Sequence, residues 1–118
     1  MGNDIVTLVL RVLSSIGYEG DKQLFAKKFI WVCEKQALDL VVKKLPKHHQ
    51  SAIYGALNEK ILSEQSRAYL TTVLQSESYR NTLLLVFQQN LEDYMQTVAP
   101  SLSEEQATKT AQILKEYL

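Results

Sequence analysis

This chain carries almost nothing with which to turn a β-hairpin. It has four Gly and two Pro among 118 residues, and neither an Asn-Gly nor an Asp-Gly pair occurs in it. Average usage would fill about 12% of positions with Gly and Pro, and those two pairs are the strongest short hairpin signals. Strands would lack their connections, so the expected fold class is all-α.

The apolar pattern agrees. Helix 1 is expected over about residues 3–16, where Ile5, Val6, Leu8, Val9, Val12, Leu13 and Ile16 surround a narrow polar stripe of Thr7, Arg11 and Ser14. Gly17 stands where a left-handed C′ residue ends a helix, with Tyr18 placed to fold back on the last turn. Asp21 is the expected N-cap of a long helix 2 that runs to about residue 45 and stops at Pro46. Helix 3 is expected over about 47–61, presenting Ala52, Ile53, Ala56 and Leu57, with Gly55 inside it as a site of close helix packing. Ser63 is the expected cap of helix 4 (about 64–75), whose buried face would be Ala68, Tyr69, Leu70, Val73 and Leu74. Ser76 or Ser78 would cap helix 5 (about 79–98). Ser103-Glu104-Glu105-Gln106 has the form of a capping box opening helix 6.

Two runs of five apolar residues stand out, Phe-Ile-Trp-Val-Cys at 29–33 and Leu-Leu-Leu-Val-Phe at 83–87. Five consecutive helical residues go round more than one full turn, so neither run is expected on a half-exposed helix. Helices 2 and 5 should therefore be central in a compact bundle of about six helices, with Trp31 in the core. If one chain left either run bare, a homodimer would cover it.

The runs are 54 residues apart, and the same offset pairs Asp39 with Asp93 and Pro46 with Pro100. Beyond the prolines, an offset of 56 pairs Gln50 with Gln106, Leu57 with Ile113 and Leu62 with Leu118. Before the runs, Val12-Leu13 matches Val73-Leu74. A duplication of a three-helix unit, residues 1–62 and 63–118, is thus set beside the plain alternative that two helical hairpins of equal length align by chance. Either way a single all-helical domain is expected over 1–118.

Composition narrows the function classes. Thirteen basic side chains balance thirteen acidic ones, which argues against a general polyanion binder. Cys33 is the only cysteine, so no internal disulfide is available and a reduced, cytoplasmic setting is the default. The N-terminal apolar stretch is preceded by Asp4, cut short by Arg11 and followed by no cleavage pattern, and Val6 stands where a myristoylation signal needs Ser or Thr. No apolar run approaches the ~20 residues that span a bilayer.

Signatures of catalysis and cofactor binding are missing: no Gly-rich phosphate loop, His-Glu-x-x-His, calcium loop or nucleophile elbow occurs. No catalytic, cofactor or metal site is assigned, and no cofactor is expected. His48 and His49 are adjacent, so on a helix their side chains diverge by about 100° and are poorly placed to grip one metal. Cys33 is read as a small buried hydrophobe rather than a nucleophile. Asp39 and Asp93 are read as salt-bridged or solvated rather than as an acid–base pair. The six tyrosines, Tyr18, Tyr54, Tyr69, Tyr79, Tyr94 and Tyr117, are read as the edge of the core.

One segment breaks a local rule. Lys43, Lys44, Lys47, His48 and His49 crowd around Pro46 where helix 3 begins, although the positive end of the helix macrodipole favours acids. The matching start of helix 6 keeps the rule with Ser103, Glu104 and Glu105. These five residues are the candidate anion-binding or partner-binding site, weighed against a merely solvated charged corner. The halves also differ in charge, with nine basic and six acidic side chains in residues 1–60 against four and seven in 61–118.

The leading expectation is a non-catalytic helical protein–protein interaction module that binds a protein partner or itself. An anion or nucleic-acid binder through Lys43, Lys44, Lys47, His48 and His49 is the alternative, with nucleic acid weakened by the lack of aromatic residues among the basic ones. A small enzyme using Asp39, Asp93 or Cys33 ranks last.

Overall fold

A computed structural model of the chain describes residues 2–59, 61 and 63–117. Met1, Lys60, Leu62 and Leu118 lie outside the described residues, and with them the pairing of Leu62 with Leu118. Among the described residues there are six α-helices and no strand: α1 (Gly2–Ser15), α2 (Lys22–Lys43), α3 (Lys47–Leu57), α4 (Glu64–Leu74), α5 (Glu77–Val98) and α6 (Glu104–Tyr117), with a 3-10 turn at Ala99–Ser101 that carries Pro100.

The expected punctuation holds at most helix ends. Gly17 has φ 74°, and the amides of Tyr18 and Gly17 donate to the carbonyls of Leu13 at 3.0 Å and Ser14 at 3.3 Å, the paired bonds of a Schellman end. Asp21 accepts from the Leu24 amide at 3.0 Å, Ser63 from Ser66 at 3.1 Å and Ser76 from Tyr79 at 3.2 Å. Ser103 and Gln106 close the expected capping box, each side chain accepting from the other's amide at 3.1 and 2.9 Å. α3 is shorter than expected and ends at Leu57, where the Asn58 amide takes the Tyr54 carbonyl at 3.2 Å.

The chain divides into two packing units, Met1–Val32 with Gln89–Leu118, and Cys33–Gln88. α2 and α5 are the central helices, each supplying buried side chains to both units. This partition describes packing and differs from the partition at residue 62; the duplication remains a matter of the sequence offsets alone.

In the first unit α1 packs on α6. Ile5, Leu8, Val9, Val12 and Leu13 are buried, while Thr7, Arg11 and Ser14 form the exposed stripe that the sequence pattern predicts. Ser15 Oγ donates to the Val12 carbonyl at 2.8 Å and shares a 2.6 Å hydrogen bond with Thr110 Oγ1, so two buried hydroxyls satisfy each other. Phe25 gathers the aromatic rings of Tyr18, Phe29 and Tyr94 at centroid distances of 5.2, 6.1 and 5.2 Å.

In the second unit one buried cluster joins Val42 of α2, Ile53 and Ala56 of α3 and Leu70 of α4. A second joins Ala37, Val41 and Tyr79, with Leu83 and Val86 of α5 against it. Cys33 is buried, as its reading as a small hydrophobe requires.

Three expectations are corrected here. The apolar runs are not wholly covered: Trp31 is 59% exposed, Val32 41% and Leu85 68%. A helix can direct only part of its circumference at its neighbours, and these side chains fall on the outward part. Gly55 permits no close approach, because a Cβ built on it meets nothing within 4 Å. Ala52, Leu57, Ala68 and Leu74 point outward, so the buried faces of α3 and α4 are narrower than the pattern suggested.

Candidate functional site

The basic segment lies wholly within the second packing unit. α2 ends at Lys43, and the amides of Lys44 and Leu45 turn back to the carbonyls of Val41 and Val42 at 3.1 and 3.0 Å. Pro46, with φ −56° and ψ 152°, redirects the chain and stands as the N-cap of α3 without a side-chain cap bond. A proline suits the first turn of a helix because its missing N–H has no intrahelical acceptor there.

The five candidate residues divide into two groups. Lys43 is engaged: its ammonium pairs with Asp39 Oδ2 at 2.9 Å, one helical turn back, while Tyr54 of α3 donates its hydroxyl to Asp39 Oδ1 at 2.8 Å. The Lys43 hydrogen bond first, and the Tyr54 hydroxyl second, hold the Asp39 carboxyl below its ordinary value, and Asp39 in turn raises both Lys43 and Tyr54. His49 is engaged as well, its Nδ1 hydrogen-bonded to the hydroxyl of Tyr69 on α4 and its ring stacked on Tyr69 with centroids 5.8 Å apart. Lys44, Lys47 and His48 remain exposed.

Gln50, in the first turn of α3, reaches back to the end of α2, donating to the carbonyls of Leu45 at 2.8 Å and Lys43 at 3.3 Å. One carbonyl left over at the end of α2, that of Lys43, and one in the connection, that of Leu45, are thereby satisfied by the next helix. The segment is thus a braced corner between α2, α3 and α4, with three cationic or titratable side chains on its outside.

The His48 and His49 rings do not diverge as far as their adjacency suggests: the ring centroids lie 4.1 Å apart at a tilt of 46°. Side-chain torsions bring together what the backbone separates. No group of three or more His, Cys, Asp or Glu among the described residues is placed to hold a metal ion.

Asp39 belongs to the Lys43–Tyr54 network, and Asp93 accepts from Gln89 Nε2 at 3.0 Å, one turn away on α5. Of the tyrosines, Tyr79 is buried, Tyr18, Tyr69 and Tyr94 are half-buried, and Tyr54 and Tyr117 are exposed. Desolvation raises the hydroxyls of Tyr79 and Tyr94 above their ordinary value.

The first unit holds an open groove of about 450 Å³ along α1 and α6, lined by Thr7, Leu10, Ser14 and Lys109 among others. Arg11 at its edge donates to Glu116 Oε2 at 2.9 Å and to the Tyr117 hydroxyl at 3.3 Å, and sits 5.6 Å from the Tyr117 ring centroid. These hydrogen bonds, Tyr117 first, raise the Arg11 guanidinium further above its ordinary value.

Sequence reasoning missed the outward face of α2. Leu24, Lys27, Lys28 and Trp31 are all exposed. The signal was present as Leu24 and Trp31 at a seven-residue spacing, but it was hidden by the apolar run that contains Trp31.

No protein-family model, no curated protein and no solved structure matches this chain.

Proposed function

We propose that the protein is a non-catalytic helical interaction module that binds another protein chain or a second copy of itself. One observation carries this reading: large apolar side chains stand exposed on the two central helices, Trp31 on α2 and Leu85 on α5. Exposed aromatic and aliphatic side chains are what a partner surface offers, and Trp is enriched among the residues that dominate binding energy. The absence of catalytic signatures in the sequence supports the non-catalytic part, and the single buried Cys33 supports a reduced, cytoplasmic setting. No helix among the described residues is long and apolar enough to cross a membrane.

The test compares the wild type with Trp31→Ser and Leu85→Ser by light scattering over a range of concentrations and by capture from the native lysate. The expected result is a mass above the 13.5 kDa monomer, or a specific captured protein, diminished in at least one variant. A strictly monomeric protein that captures nothing overturns the proposal.

A second reading, an anion or nucleic acid held at the start of α3, draws on the exposure of Lys44, Lys47 and His48 beside first-turn amides. It ranks lower because Lys43 and His49, two of the five groups it would use, are already committed to Asp39 and Tyr69. Binding that appears at low salt in a mobility-shift titration and disappears in Lys44→Glu/Lys47→Glu would promote it over the first reading.

A further inference from the structure

We propose that the outward face of α2 around Trp31 docks an acidic amphipathic helix of a partner protein. This names a partner class for the interaction module proposed above and rests on that reading.

Leu24 is 49% exposed and Trp31 59%. Seven residues of α-helix turn through about 700°, 20° short of two full turns, so the two side chains lie on one line along α2, about 10.5 Å apart. Lys27 and Lys28 sit between them. Being three and four residues beyond Leu24, they fall on opposite sides of that line, at about −60° and +40° from it. Both are exposed, and no ion pair with a described residue holds either ammonium. Between Leu24 and Trp31 the face is therefore an apolar seam with a cation on each flank, and the exposed Glu34 stands past its end, one turn beyond Trp31.

A helix lying along α2 matches this pattern. Its own apolar side chains, repeating every seven residues, would seat against Leu24 and Trp31, and carboxylates beside them would meet Lys27 and Lys28. Charge argues against the same face of a second copy, because an isologous pairing would bring four lysines together around one seam. Nucleic-acid bases would stack on Trp31 but gain nothing comparable from Leu24, which has no π-face. An anionic lipid surface would satisfy the lysines but has no use for the seven-residue spacing.

Trp31 is the only tryptophan in the chain, so its fluorescence reports on this face directly. The experiment titrates the full chain with a synthetic peptide that has Leu in a heptad pattern flanked by Glu, and with its twin in which Lys replaces Glu. The acidic peptide should shift Trp31 emission to the blue, and calorimetry should show that Lys27→Glu/Lys28→Glu weakens its binding roughly tenfold or more while enabling the basic twin to bind. Trp31→Ala, whose helix content is checked by circular dichroism, should lose a similar factor.

Equal binding of both peptides overturns the proposal, as does the absence of any shift. A shift on phosphatidylserine vesicles without one on the acidic peptide also overturns it and assigns the face to a membrane. A blue shift that grows with protein concentration alone, and that the peptide does not compete away, assigns the face to a second copy. It ends this proposal and leaves the interaction-module reading standing. Silence in every arm, together with a strictly monomeric mass and no protein captured from the lysate, ends both.

Discussion

At the start of α6, Ser103 and Gln106 bond each other's backbone amides and two glutamates follow the cap, whereas at the start of α3 Pro46 offers no side-chain bond and Lys47, His48 and His49 follow it. The two sites correspond at a shift of 56 residues, and even the glutamines match: Gln106 caps its own helix, while Gln50 abandons its helix to satisfy carbonyls at and just past the end of α2. The difference teaches how a helix with a poor local start is kept. α3 is anchored by Ile53 and Ala56 in the cluster with Val42 and Leu70, and by tethers from Gln50, Tyr54 and His49 to its neighbours. Most helical stability in proteins comes from such packing rather than from local signals. α6 has both the signals and the packing, the latter through Thr110 and Ile113.

The most severe way to break the comparison is Ile53→Ala. Ile53 is fully buried, and its truncation should cost about 2–5 kcal/mol in urea denaturation, from lost burial and the cavity left behind. A cost below about 1 kcal/mol would mean that packing is not what holds α3.

Next in size is Ser103→Ala, which should cost about 1 kcal/mol by removing the cap of α6. Lys47→Ala, at the position the offset aligns with Ser103, removes no cap bond and should leave the melting temperature almost unchanged. Equal losses at the two positions would erase the distinction between the two helix starts.

Gly55→Ala should go the other way. The position is exposed, helical and surrounded by open space, so an added methyl should stabilise α3 by about 0.5–1 kcal/mol. Its counterpart in α6 is already alanine, Ala111. A destabilised Gly55→Ala would expose a constraint on α3 that its surroundings do not account for.

The smallest effect concerns Asp39, whose carboxyl is depressed by Lys43 and then Tyr54. A carboxyl depressed in the folded state contributes stability that is fully present above its unfolded value, about 3.9, and is lost as the pH falls through the lower folded value. The advantage of wild type over Asp39→Asn should therefore persist at neutral pH and close in acid, measured by urea denaturation at about pH 7 and about pH 3. Because the pair is exposed, salt should shrink the same advantage. A gap that widens on acidification would contradict the assigned direction.

How much was legible depended on distance along the chain. The caps at Asp21, Ser63, Ser76 and Ser103, and the turn at Gly17, use groups within a few residues of each other, so their pattern could be read directly. The Asp39–Lys43 pair was readable for the same reason, being one turn apart. The contact between His49 and Tyr69 spans twenty residues and leaves no local pattern. Of the candidate site, the residues and the breach of the macrodipole rule were visible. That Lys43 and His49 are engaged while Lys44, Lys47 and His48 stay outside was not.

The sequence by itself determined that the chain is helical, where most of the helices begin and end, and which two of them are central, because breakers, caps and apolar density are properties of short stretches. Only the tertiary structure decided which apolar side chains are covered. Five in a row on a helix point all the way round it, and a neighbouring helix covers only the side it touches. Cys33 and Phe87 fell on the covered side, and Trp31 and Leu85 on the other.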